Sequence, residues 1–171
     1  MTHSHYFDGP IRDGKITVST LGASRVEHQF ISNYGSDWGE ERFLIDWHEQ
    51  HALLRLPIEH HCPTPQVRYE IPYASIDRSV GSEEWPGQSW VVVSDIATGG
   101  GIAIVTDSKS SISVDDSNIY ITAARSPLYA HHVPPHVIKP HERLRYQDQG
   151  EQEFRILHLP FEGDWLSLIH I

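Results

Sequence analysis

Apolar and polar residues alternate at every second position through much of this chain, the period of a pleated strand with one wet face. The alternation predicts strands over Lys15-Ile16-Thr17-Val18, Arg25-Val26-Glu27-His28-Gln29-Phe30, Arg68-Tyr69-Glu70-Ile71, Ser111-Ile112-Ser113-Val114 and Asn118-Ile119-Tyr120-Ile121-Thr122. Two runs, Trp90-Val91-Val92-Val93 and Ile102-Ala103-Ile104-Val105, are apolar on both faces and predict central strands covered from both sides. Turn chemistry separates the runs at short spacing: Asp8-Gly9-Pro10, Asp13-Gly14, Asn33-Tyr34-Gly35, Pro63-Thr64-Pro65, Pro86-Gly87, Gly99-Gly100-Gly101, Asp115-Asp116-Ser117-Asn118 and Glu162-Gly163-Asp164. Many strands on short loops imply an all-β sandwich or barrel. The best helical candidate, Asp164 to Ile169, is too short to stand alone. From Pro127 to Gln149 the chain is irregular, with four prolines and His131, His132, His136 and His141, which predicts one long loop.

A length of 171 residues implies one core, so residues 1–171 read as a single domain or a fragment of one. Lys and Arg number 13 against 23 Asp and Glu, a net charge of -10 that excludes nucleic acid as a partner because little here would displace phosphate counterions. No apolar run approaches the roughly 18 residues of a membrane span, so no membrane partner is expected. The start, Met1-Thr2-His3-Ser4-His5-Tyr6, lacks a basic patch and an apolar stretch, which argues against a secretory signal and for the cytoplasm. The single cysteine, Cys62, excludes an internal disulfide and suits a reducing compartment. The apolar finish Leu168-Ile169-His170-Ile171 reads as a chain interrupted mid-fold, so exposed sheet edges and a homo-oligomer are expected.

Candidate chemistry is sparse. His60-His61-Cys62 carries zinc-type donors, but neighbours on a strand point to opposite faces and do not readily converge. The four histidines of the long loop have no diagnostic spacing, and His3 and His5 offer at most an incidental copper or nickel contact. Among carboxylate pairs, Asp46 with Glu49 is unspecific, Glu83-Glu84 and Asp115-Asp116 are expected in solvated turns, and Glu151 and Glu153 share one strand face. There is no nucleophile elbow or His-Glu-x-x-His zinc pair, and Gly99-Gly100-Gly101 precedes a strand, so it is a turn and not a phosphate loop. No catalytic residue and no metal ligand is assigned. Of five tryptophans, Trp47 and Trp90 are expected in the core, while Trp38, Trp85 and Trp165 remain open to either packing or sugar stacking.

A family resemblance adds what the residues alone do not. Asp46-Trp47-His48-Glu49-Gln50-His51-Ala52-Leu53-Leu54-Arg55 resembles the "DWHE-x-HKLLK" strand pair in the C-terminal β-domain of retaining α-mannosidases, glycoside hydrolase family 38. In the same order, Tyr69 to Arg78 is similar to "YEIPFGSIER", Trp90 to Asp95 to "KWVDLSD" and Gly101 to Lys109 to "GVALLNDSK". Arg125-Ser126-Pro127 is similar to "LLRSP", Asp148 to Phe154 to "DQGEHEF", Gly163-Asp164-Trp165 to a closing "GDW", and Asp8 to Arg12 to a preceding "EGPVR". The chain departs from these patterns at Thr106, at Ser110-Ser111 and at Gln152.

The resemblance implies part of an antiparallel β supersandwich of the galactose mutarotase type. It also implies a partner, the catalytic α/β domain, which would carry the zinc ion, its ligands and the nucleophile acting on an α-mannoside. This chain would hold no cofactor itself. The blocks around Arg125 and around Asp148 and Gln149 flank the long loop, so loop closure is expected to bring these three together at one sheet edge as a contact with substrate or catalytic domain. Arg125 paired to Asp148 as a plain structural clasp is the competing reading of those residues. For the whole chain the alternatives are a free-standing carbohydrate-binding or interaction module and an inactive folding unit.

Overall fold

The computed structural model describes residues 1–128 and 145–170, which form two antiparallel sheets. In chain order the strands are β1 (Thr2–Asp8), β2 (Arg12–Leu21), β3 (Ser24–Asn33), β4 (Gly39–Trp47), β5 (Leu53–Glu59), β6 (Pro65–Ile71) and β7 (Ala74–Arg78). They continue as β8 (Gly81–Pro86), β9 (Trp90–Asp95), β10 (Gly101–Thr106), β11 (Ser111–Val114), β12 (Asn118–Arg125) and β13 (Gly150–Phe161). The large sheet has nine strands in the order β1-β2-β3-β4-β13-β10-β9-β6-β7, and the small one has four, β5-β12-β11-β8. Each alternating or doubly apolar run lies inside one of these strands. Trp165–His170, the short helical candidate, is a 3-10 helix.

The core lies between the sheets, and period-two alternation chooses its members. Phe43, Ile45, Trp47, Tyr69, Val91, Val93, Ile104, Phe154 and Ile156 face inward from the large sheet; Ile58, Ile112, Val114, Ile119 and Ile121 meet them from the small one. Phe43 stacks on Phe154 with centroids 5.1 Å apart. Tyr69 crosses the gap and donates its hydroxyl to the Ile112 carbonyl at 3.4 Å, and burial pushes its phenol up to about 12. Val92 and Ala103 are buried on the other face of the large sheet, as the doubly apolar runs require. That side carries the 3-10 helix, whose Trp165 lies 5.4 Å from the Trp90 ring and under the Arg68 guanidinium, which Asp77 grips through both oxygens.

Two local expectations need correction. Asp13-Gly14 is not a turn but part of β2, and the chain reverses earlier, at Gly9-Pro10-Ile11. Gly14 is there for close approach: a Cβ would fall 2.2 Å from the Phe30 carbonyl and 2.6 Å from the Phe7 ring that lies across it. Glu83-Glu84 is likewise strand and not turn. Glu84 accepts from Thr122 at 2.5 Å and Ser111 at 3.2 Å and faces Arg55, so the outward polar side chains of the small sheet tie its strands together.

On the inward face of the large sheet one ionic cluster interrupts the apolar surface. Glu41 in β4 lies between His28 of β3 and His158 of β13, each Nε2 being 2.7 Å from a carboxylate oxygen. His28 also stacks on Phe43 at 4.5 Å. Burial opposes ionisation of Glu41, but the imidazoles of His158 and His28 outweigh it and hold the carboxyl down at about 2, against 4.5 in an unfolded chain. A folded value below the unfolded one stabilises the fold fully above the unfolded value, and that contribution is lost as pH falls through the folded one. A depression of this size corresponds to about 3 kcal/mol at most. Wild-type stability, followed by urea unfolding, is therefore expected to fall between pH 4.5 and pH 2. Glu41→Gln is expected to lose about 2 kcal/mol at pH 7 and to flatten that decline; an unchanged acid profile would show that the cluster contributes nothing.

Candidate functional site

The residues singled out at the ends of the long loop meet at one end of the sandwich. β12 sits inside the small sheet and β13 inside the large one, so Arg125 and Asp148 come together between the sheets and not at one sheet edge. Their contact is also not the expected fork on a carboxylate. The Asp148 carboxylate accepts the main-chain N–H of Arg125 at 2.9 Å. Among the described residues no carboxylate lies within ion-pair distance of the Arg125 guanidinium, which is exposed. Asp148 has φ 53°, a left-handed conformation that Asp tolerates better than most residues, and Gly150 follows at φ 95°. This sharp turn aims the carboxylate at β12 just before β13 begins.

Main-chain bonds pin the surroundings. Gln147 N–H donates to the Pro127 carbonyl at 3.1 Å, and Leu128 bridges to Tyr146. The hydroxyl of Ser126, fully buried, donates to the Ala52 carbonyl at 3.2 Å, while the His51 N–H donates to the Ser126 carbonyl at 2.9 Å. Gln149 uses its amide to donate to the carbonyls of Glu49 at 2.9 Å and Gln147 at 3.1 Å, so its side chain ties the start of β13 to the β4–β5 connection. Glu49 in turn accepts from Ala23 N–H at 2.8 Å and the Ser24 hydroxyl at 2.9 Å. Asp46, its partner by spacing, lies instead against His48 at 2.7 Å.

Three residues that spacing did not single out complete this corner. Lys109 donates to the Gln152 amide oxygen at 2.8 Å and lies 4.7 Å from the Phe154 ring centre; Gln152 donates to the Asp148 carbonyl at 2.8 Å. Burial lowers the Lys109 ammonium from its ordinary range against the opposing pull of Asp148 and Asp107. His51, at φ 50°, meets the Tyr146 ring edge-on at 5.1 Å. Lys109 and His51 both fall inside the family-like blocks, and that was the available signal for them. Tyr146 carried none. The corner thus offers an exposed guanidinium on a fixed main chain, a half-buried ammonium and side-chain amides, a set suited to hydroxyl-rich or anionic groups.

The other candidates resolve as structure. His60 is buried, with Nε2 donating to the Asp115 carbonyl at 2.9 Å and Nδ1 accepting the Cys62 N–H at 3.4 Å, so neither nitrogen is left for a metal. The Cys62 thiol is buried against the Val93 carbonyl, and burial and the Asp95 charge raise it. His61 is exposed. These residues line a mostly apolar cleft of about 450 Å³ at the Glu59 end of β5, away from Arg125. Asp115 caps its turn by accepting the N–H groups of Ser117 and Asn118, and Glu151 and Glu153 stand exposed on β13. Trp47 is core as expected, but Trp90 is not: it lies half-buried on the other face of the large sheet, covered by Trp165, while Trp85 packs under Arg78 at 4.5 Å. Among the described residues no three His, Cys, Asp or Glu side chains converge as metal ligands, and no helix is long and apolar enough to cross a membrane. His131, His132, His136 and His141 fall outside the described residues.

A comparison with curated proteins finds no match. A family model does match: the glycosyl hydrolases family 38 C-terminal domain aligns to residues 4–136, which runs from within β1 through β12 and takes in the Arg125 side of the corner. Together with the two-sheet antiparallel architecture, that match is decisive for the family and makes the domain part of a glycoside hydrolase. The chain belongs to glycoside hydrolase family 38, as its C-terminal β-domain.

Proposed function

We propose that this domain is the non-catalytic β-sandwich of a retaining α-mannosidase, and that its Arg125 corner forms one wall of the cleft closed by a separate catalytic domain. The observation that carries the reading is the division of labour at Arg125. Asp148 fixes its backbone, and its exposed guanidinium has no ion-pair partner among the described residues at this end of the sandwich. A planar fork on a rigid base can grip paired sugar hydroxyls, or a carboxylate of the catalytic domain, in one geometry. Lys109 and Gln149 hold neighbouring polar groups in place without moving a proton. The zinc ion implied by the resemblance would belong to the catalytic domain, since the described residues here do not fit it. A buried, lone cysteine suits the reducing cytoplasm as the place of work.

Two tests separate this from a self-sufficient enzyme or a mere clasp. The isolated chain is expected not to hydrolyse an aryl α-mannoside with or without added zinc; turnover that rises with zinc and disappears with chelator would overturn the assignment. In the enzyme carrying its catalytic domain, Arg125→Lys is expected to lower kcat/KM about tenfold or more with little shift in melting, as one charge-assisted hydrogen bond is worth roughly 1.5–3 kcal/mol. Asp148→Ala should do the reverse at first order, costing about 1–2 kcal/mol of stability by orphaning the Arg125 N–H. Normal kinetics with a melting point several degrees lower in Arg125→Lys would make the corner a clasp and nothing more.

A further inference from the structure

Of the four sheet edges among the described residues, three are blunted. β5 carries Pro57 and a register shift against β12; β8 carries Glu83, Glu84 and Pro86 and a register shift against β11. β7 has five residues, the last two being Asp77 and Arg78. These are the devices that keep edges from pairing with other chains. β1 has none of them. Its seven residues pair with β2 in unbroken register from Thr2 opposite Ser19 to Asp8 opposite Asp13, with no proline and no charge before Asp8.

The phase of its hydrogen bonds shows which groups remain open. Thr20 N–H donates to the Met1 carbonyl at 3.1 Å and Gly9 N–H to the Arg12 carbonyl at 3.0 Å, so the odd-numbered residues of β1 bond to β2. Thr2, Ser4, Tyr6 and Asp8 therefore turn their N–H and C=O groups outward. No residue of β1 or β2 belongs to the core cluster, so this part of the large sheet extends past the small one and can be approached without meeting it.

We propose that β1 pairs antiparallel with β1 of a second copy about a two-fold axis through His5, making one continuous sheet across both subunits. The register follows from the strand itself. Setting Ser4 opposite Tyr6 of the partner subunit and Thr2 opposite Asp8 of the partner subunit engages every outward-facing group on both strands. Centring the axis on Ser4 or on Tyr6 leaves some of them unpaired. The strand also suits a copy of itself electrostatically. On a chain of net charge -10 it is a nearly neutral strip, and its one carboxylate meets a threonine and not its own image. Such an isologous contact closes and does not propagate. The proposal stands independently of the mannosidase reading, because it uses no residue of the Arg125 corner.

The test is covalent capture. In this register His5 faces His5 of the partner subunit at a non-hydrogen-bonded position, where Cα atoms lie about 4.5 Å apart, within reach of a disulfide. His5→Cys is expected to give a covalent dimer under mild oxidation, with Cys62 buried and out of the way. His3→Cys and Phe7→Cys, each facing the other residue type, are expected to stay uncrosslinked. Sedimentation of the wild-type protein should show a species of twice 19.5 kDa at micromolar concentration. The Ser4→Pro, Tyr6→Pro double variant removes outward N–H groups only and should sediment as a monomer with an unchanged circular dichroism spectrum. A monomeric wild type, His3→Cys crosslinking as readily as His5→Cys, or a folded proline variant that remains dimeric would each overturn the proposal.

Discussion

Strand β13 holds the large sheet together. It lies between β4, with which it pairs from Gly150 opposite Trp47 to His158 opposite Gly39, and β10, which it meets from Thr106 opposite Ile156 to Gly101 opposite Phe161. Without it the sheet would fall into two pieces, the meander β1 to β4 and the group β10, β9, β6 and β7. Phe154 and Ile156 also place its apolar face at the centre of the core, against Phe43. The two halves of the chain share a core because this late strand inserts between them.

That dependence explains where the other features sit. Glu41 joins β3, β4 and β13 through His28 and His158 within the large sheet. At the opposite end of β13, Asp148 and Gln149 set the angle at which the strand starts, one through β12 and the other through the Glu49 carbonyl. The corner proposed to face substrate is therefore built by the same bonds that insert β13. A rigid base for Arg125 follows from folding and needs no separate device.

Much of the fold was legible because alternation is read strand by strand. Where both faces are covered, as at Val92 and Ala103, the doubly apolar run announced it. What was hidden depended on partners distant in sequence. Gly14 looks like a turn residue until Phe7 is found lying across it, and Glu84 looks like a turn residue until Thr122 and Arg55 are placed beside it on the small sheet. The site was half legible: the family-like blocks marked Arg125, Asp148 and Gln149, but not that Asp148 would bond a main-chain N–H. Spacing reports which residues can meet, not which atoms they present.

The claim that one strand unites the two halves is open to native-state hydrogen exchange. The amides of β4, β10 and β13 that hydrogen-bond between these strands should exchange only through one opening, with a common free energy close to that of global unfolding. If β10 and its neighbours instead open at lower cost while β4 and β13 stay protected, the halves are separate cooperative units and β13 does not join them.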